Sequence, residues 1–473
     1  MFPDDSKGDP PQAKLGLSRE PRGIRMVMNP VGKIPHTQIP RGAPLAAGGP
    51  AAQTRDRLLA SIAARRAEMI DFVEELVAIP TENPPGRSYA PCVNAIAKKL
   101  RRLKLDCEII DIPAHAKSAG RKSFASTDSA PLQFIRSFYP ASAPKESRRT
   151  VYFHGHYDVV PAQSPQQFKP RIQGGKLIGR GSSDMKSGLA AMIFAVHALK
   201  ECGIELAGRV GLAIVPDEET GGANGSARLV RAGILGEDGV AMFTPEPTGG
   251  VIWNANRGAI SMRVTVKGKS AHVGLQHLGT NAFEKMLDVA DALCILKKVV
   301  ESRKTNFNIK PDAARCSILM LGGRSEGGTN FNLVPTEFSF TLDRRINPEE
   351  NLAVEKSALF ELFAKFRDAG MALDVEVLQE GSAAGVSCDD PAARALAESV
   401  EAVTGKLAKF EMCPGLLENR FYAERGIPAF AYGPGLLTVS HGPHEFVPLA
   451  RIPECAAVYA LAAARILARD ASR

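Results

Sequence analysis

The stretch Thr150-Val151-Tyr152-Phe153-His154-Gly155-His156-Tyr157-Asp158-Val159-Val160-Pro161 opens as a β-prone apolar run. It closes in a loop that carries an imidazole and a carboxylate two residues apart. The run predicts a strand over 150–153. His156 and Asp158 share a face if the chain stays extended. Asp158 can then hydrogen-bond one nitrogen of His156 and leave the other for a metal. Taken alone, the pair could as well be a polar strand end. His154 lies on the same alternation but deeper in the strand, and reads as structural.

Downstream, a helix is expected over 188–200, a strand over 209–215, a helix over 226–232 and a strand over 240–244. Strands alternating with helices predict an α/β sheet covered on both faces. Such a sheet presents ligands to the loops after its strand C-termini. Upstream, apolar residues recur at helical spacing over 58–79, ended by Pro80 and the Pro84-Pro85-Gly86 turn. A helix over 89–103 and a strand over 107–112 follow, then a polar insert over 113–130 read as a flexible loop. Residues 1–55 are rich in Pro, Gly, Ala and Arg without hydrophobic period. They read as a disordered tail lacking the apolar core of a secretory signal, with order beginning at Asp56.

The pattern changes at Gly258. Alternating strands over 260–266, 316–321, 337–343 and 373–378 enclose helices over 282–300 and 350–367. This β-α-β-β-α-β order predicts a ferredoxin-like α+β unit inserted as a lid. The α/β pattern resumes with a helix over 391–404, a strand over 429–432 and a helix over 456–468. The expected organisation is therefore a tail (1–55), a discontinuous catalytic domain (56–256 and 381–473) and a lid between its segments (257–380).

The chain has 473 residues, 44% apolar and 23% charged, which is ordinary for a globular protein. No apolar run reaches the ~18 residues of a membrane span. The net charge is +8, but residues 1–55 carry +4 and residues 98–149 carry +7. The positive charge thus lies in a tail and one surface stretch with little aromatic interleaving, which argues against nucleic-acid binding. Eight scattered cysteines without a CxxC pair suggest reduced thiols in a cytoplasmic protein.

Four further loops hold candidate ligands. Gly179-Arg180-Gly181-Ser182-Ser183-Asp184 tempts a dinucleotide reading, but Asp184 replaces the third glycine of that motif and would repel a pyrophosphate. Asp184 is either a helix cap or a bridging ligand, because two oxygens can serve two cations. Asp217-Glu218-Glu219-Thr220-Gly221-Gly222 places adjacent carboxylates where only a bend, permitted by the glycines, could direct both to one site. Glu246 lies between Pro245 and Pro247, and His441 in Ser440-His441-Gly442-Pro443-His444-Glu445. Imidazoles and carboxylates without thiolate suit two zinc ions, with cobalt or manganese as substitutes. Two such ions can polarise a carbonyl and lower the pKa of a bridging water.

Over roughly 56–465 these motifs, in this order, resemble the zinc aminoacylase family. It includes acetylornithine deacetylase, succinyl-diaminopimelate desuccinylase, aminoacylase and the glutamate carboxypeptidases. The resemblance implies a zinc-peptidase-like catalytic domain. It makes His156 and Glu246 ligands of one metal, Glu219 and His441 ligands of the other, and Asp184 the bridge. Asp158 would orient His156, and Glu218 would be the general base. In the lid, Lys269-Ser270-Ala271-His272 resembles the element whose histidine stabilises the oxyanion in the neighbouring subunit of dimeric relatives. Asn332 and Arg345 resemble the groups that bind the substrate carboxylate. Pro414-Gly415-Leu416-Leu417-Glu418-Asn419-Arg420-Phe421 departs from the more usual Gly-Gly-Thr-Asp-Ala-Arg-Phe and makes that wall more apolar.

The expected activity is hydrolysis of a small N-acyl amino acid by a homodimer paired through its lid, without nucleic-acid or membrane partners. A dipeptidase or carboxypeptidase of the same family is the alternative. A metal-binding scaffold without catalysis is the rival of another class. A serine hydrolase built on Gly323-Arg324-Ser325-Glu326-Gly327 fails, because the following segment reads as a strand where a nucleophile elbow needs a helix.

Overall fold

The computed structural model describes residues 50–112, 132–140 and 149–468. Most of the expected tail and the 113–130 insert lie outside these. Order does not begin at Asp56: the first helix is Pro50–Ala64. The single helix expected over 58–79 is two, since Arg66–Val77 is a separate helix after a break at Arg65.

Among the described residues, the larger sheet has nine strands. Its order is Glu108–Asp111, Gln133–Tyr139, Arg209–Val215, Thr150–His156, Gly239–Thr244, Ala429–Ala431, Ile252–Asn256 and Ala384–Gly385, with Phe410–Cys413 also paired to Ile252–Asn256. Thr150–His156 runs parallel to Arg209–Val215, with His156 opposite Val215. It also runs parallel to Gly239–Thr244, with Phe153 opposite Phe243. The loops that follow these three strands therefore emerge side by side. Both Thr150–His156 and Arg209–Val215 are buried along their whole length, which explains why their apolar residues run together in Val151–Phe153 and Leu212–Val215 instead of alternating with polar ones.

Helix Lys186–Glu201 is buried on nearly every side. It packs with Arg451–Ile466, an Ala-rich helix that starts five residues before the expected Ala456. The first turn of Lys186–Glu201 meets the Glu246 loop so closely that a Cβ on Gly188 would lie 2.5 Å from the Pro245 ring. Only glycine fits there, and the contact fixes the Glu246 loop against the start of the helix that Asp184 precedes.

The inserted unit has the expected order. Its four strands lie as Ile318–Gly327, Glu337–Ile346, Gly258–Lys267 and Leu373–Gly381, all antiparallel. Ile260, Met262, Val264 and Val266 turn one face to helices Ala282–Glu301 and Leu352–Asp368, where Val289, Leu293, Leu359 and Phe363 complete the core. This is the period-two pattern of a sheet with one covered face. Gly323–Gly327 lies inside strand Ile318–Gly327, which leaves no strand–turn–helix elbow for a serine nucleophile.

Candidate metal centre

His156 ends its strand with its side chain 1% exposed. Its Nδ1 lies 3.0 Å from the carbonyl of Asp158 and 3.5 Å from that residue's Oδ1. Asp158 is itself fully buried. Its Oδ1 accepts from the backbone N–H of Glu218 (3.3 Å), and its Oδ2 from that of Glu219 (3.2 Å) and from Asn83 Nδ2 (2.8 Å). One carboxylate thus joins the imidazole of one strand end to the acidic turn of the next.

That turn is bent as the paired glutamates require. Asp217 takes a left-handed backbone (φ +75°) and Glu218–Thr220 forms one turn of 3₁₀ helix. Glu218 Oε2 comes within 3.9 Å of His156 Nε2. Glu219 Oε2 instead lies 3.2 Å from His441 Nε2. Asp184 faces both imidazoles, with Oδ1 3.3 Å from His156 Nε2 and Oδ2 3.3 Å from His441 Nε2. Among the described residues, His156, Asp184 and Glu219 each offer a ligand atom within 4.8 Å of one another. Glu246 is buried beside this group and interacts electrostatically with Asp184, Glu219 and His156.

The electrostatics are those of crowded carboxylates. Burial, then the charges of Asp184 and Glu219, push Glu246 up to about 8. Burial raises Glu218 well above the usual carboxylate range, reinforced by Glu246 and Glu219 and opposed by His156. Glu219 is also raised by burial, against the pull of His441. Asp184 is lowered: burial would raise it, but the two imidazoles outweigh that. Asp184 and Glu219 lift His441 to about 10. His156 rises despite its burial, because Asp158, Asp184 and Glu218 surround it. Buried carboxylates this close repel unless cations lie between them.

The donor set fits divalent cations. His156 Nε2 and Glu219 Oε1 are buried without a hydrogen-bond partner. A buried polar atom left so is costly unless something else satisfies it. Each oxygen of Asp184 faces a different imidazole, as a bridging carboxylate would.

The lid residues stand elsewhere. His272 is exposed at the N-cap of a 3₁₀ turn, where its Nδ1 accepts from Gly274 N–H at 3.1 Å. Asn332 lies beside it through a backbone bond to Val273 N–H. Arg345 is on an interior strand rather than an edge. Asp343 holds its guanidinium at 2.6 and 3.1 Å, and Ser261 also donates to Asp343.

Several residues that support the site leave little mark of that role in the sequence. Arg180 and Glu445 form a buried ion pair under Asp184. His154, read as structural, pairs with Glu418 at 2.6 Å and meets the Tyr422 hydroxyl at 3.2 Å. Asn83 leaves no signal in sequence, since its role depends on a partner 75 positions away.

The model of peptidase family M20/M25/M40 matches residues 152–465. The chain belongs to this family. Succinyl-diaminopimelate desuccinylase of Albidiferax ferrireducens is 30% identical over 62% of this chain and 73% of its own length. Pig aminoacylase-1 (Sus scrofa) is 27% identical over 74% of this chain and 83% of its own. The solved di-peptidase Dug1p of Saccharomyces cerevisiae superposes with a TM-score of 0.68 at 16% identity, covering 88% of this chain and 99% of its own. A dinuclear metal-binding M20 peptidase of Bacillus subtilis does so with a TM-score of 0.60 at 15% identity, covering 85% and 99%. This M20 chain is a metal-dependent hydrolase of amide or peptide bonds. Among its described residues, no helix is long and apolar enough to cross a membrane.

Proposed function

We propose that this M20 protein hydrolyses the amide bond of a small N-acyl amino acid. His156 and Glu246 would hold one divalent cation, His441 and Glu219 a second, and Asp184 both. Zinc is the metal we assign, with cobalt or manganese able to replace it. The observation that carries the reading is Asp184, whose two oxygens each face a different imidazole at 3.3 Å. When bound, such cations supply Lewis acidity to a carbonyl and to water.

The chain's own groups do the rest. Asp158 holds His156 and the Glu218–Glu219 turn in register. Glu218 takes a proton from the water that attacks the amide carbon, and returns it to the leaving nitrogen as the C–N bond breaks. His272 donates to the oxyanion, and Arg345 with Asn332 receives the substrate carboxylate.

The lid, which we delimit as 257–380, would pair two copies. Helix Ala282–Glu301 leaves Phe283, Leu287, Ile295 and Val299 exposed at four-residue spacing or its multiple, and Ile318 and Met320 are exposed on the neighbouring edge strand. All eight cysteines are free thiols, which suits a reducing cytoplasm.

The test is a hydrolysis screen of N-acyl amino acids and dipeptides with zinc and with cobalt. Turnover of N-acyl amino acids supports the reading. Turnover of dipeptides alone replaces it with a dipeptidase. Metal uptake without turnover of either class favours a scaffold.

A further inference from the structure

Arg180 and Glu445 are neither proposed ligands nor proton carriers, yet they tie the two halves of the site together. Arg180 lies four residues before Asp184, and Glu445 four after His441. Their side chains are 1% and 0% exposed. Arg180 Nη1 donates to Glu445 Oε2 at 2.6 Å. Glu445 Oε1 accepts from the backbone N–H of Ser183 (2.9 Å) and of Asp184 (3.1 Å). Arg180 Nη2 donates to the carbonyl of His441 at 3.1 Å. One buried ion pair thus grips the backbone of the two residues whose side chains approach at 3.3 Å. Glu445 also accepts through its own carbonyl from Gly179 N–H, closing the loop on itself.

His441 needs such a hold. Its side chain is 51% exposed, and its backbone sits at φ +63°, a region that strains a non-glycine residue. His156 is held by the sheet and by Asp158. The two imidazoles of the site are therefore fixed by different means.

We propose that Arg180 and Glu445 are positioning residues for the His441 arm. They set the affinity for the cation between Asp184 and His441, and reach the cation on the His156 side only through Asp184, whose backbone N–H Glu445 holds. The inference rests on the dinuclear reading above. A pair that merely stabilised the fold would weaken both cations together, or neither.

The test uses the full chain, freed of metal and titrated with cobalt(II) against a competing chelator, with visible absorption reporting each bound ion. Arg180→Lys keeps a cation beside Glu445, but a single ammonium lacks the fork that spans carboxylate and carbonyl. Glu445→Gln keeps an oxygen for the two N–H groups and removes the charge. In both variants the first equivalent should bind within about twofold of wild type, and the second about ten- to a hundredfold more weakly. The melting temperature of each metal-free variant is read in parallel, and if Glu445→Gln does not fold, Arg180→Lys decides. Equal weakening of both equivalents, or an unchanged second equivalent, overturns the proposal. A wild-type chain that takes up fewer than two ions removes the dinuclear reading before any variant is compared, and the inference with it.

Discussion

Glu218 and Glu219 are adjacent in sequence but face different imidazoles, at 3.9 Å from His156 and 3.2 Å from His441. A straight strand would send them to opposite faces of the sheet. The left-handed Asp217 and the 3₁₀ turn after it redirect both into one site. That both could serve one site only through a bend was legible, and the two glycines permit it, but the loop alone reads equally as a solvated acidic turn. The means of the bend was not legible. Asp158 accepts from both glutamate N–H groups only because His156 lies opposite Val215 in a parallel pair, and register between distant strands is absent from local sequence. The roles assigned to the pair differ, and so do the expected variants. Glu218→Gln retains shape and removes the proton acceptor. It should lower turnover about 10²- to 10⁴-fold and leave metal content, read by elemental analysis, at the wild-type value. A near-normal rate would take Glu218 out of the mechanism.

At the scale of elements, long periodic segments were readable and short buried ones were not. Helix Pro391–Thr404 falls where its period places it, and strand Arg209–Val215 where its apolar run does. Strand Ile252–Asn256 is buried at every residue and reads Ile-Trp-Asn-Ala-Asn, an alternation only four residues long that points to a half-exposed strand rather than a buried one. The packing of one loop on another was equally hidden. Gly222 closes the acidic turn at φ +65°, and a Cβ there would lie 2.3 Å from Glu418 Oε1. The other oxygen of that carboxylate is held by His154, so it cannot easily retreat. Arg420 grips the same turn through the carbonyl of Gly221 at 2.7 Å. Gly222→Ala therefore meets both a disfavoured backbone region and a fixed neighbour. It should destabilise the fold by about 1–3 kcal/mol and displace Glu218 and Glu219 together. Urea unfolding measures the first and metal stoichiometry the second; a wild-type midpoint would mean that the contact is slack.

At the scale of the whole molecule, the proposed oxyanion donor and the proposed general base lie in different units of the chain. His272 is exposed, and because its Nδ1 accepts from Gly274 N–H, the neutral ring carries its proton on Nε2. That is the protonation a donor to an oxyanion needs. No contact joins this ring to His156, Asp184 or Glu218 among the described residues. The apolar stripe on helix Ala282–Glu301 gives the lid a surface through which a second copy could bring its own His272 to this site. The assignment separates by complementation. His272→Ala and Glu218→Gln should each be almost inactive alone, with His272→Ala keeping its metal. Under the proposed lid pairing, chains unfolded together and refolded should form hybrids in which one site pairs an intact Glu218 with the partner's intact His272. Random pairing makes half the dimers hybrids with one working site each, so activity should recover to about a quarter of wild type. Recovery requires that the two groups meet across a subunit boundary. A mixture no more active than its parents would return His272 to its own chain, or remove it from catalysis.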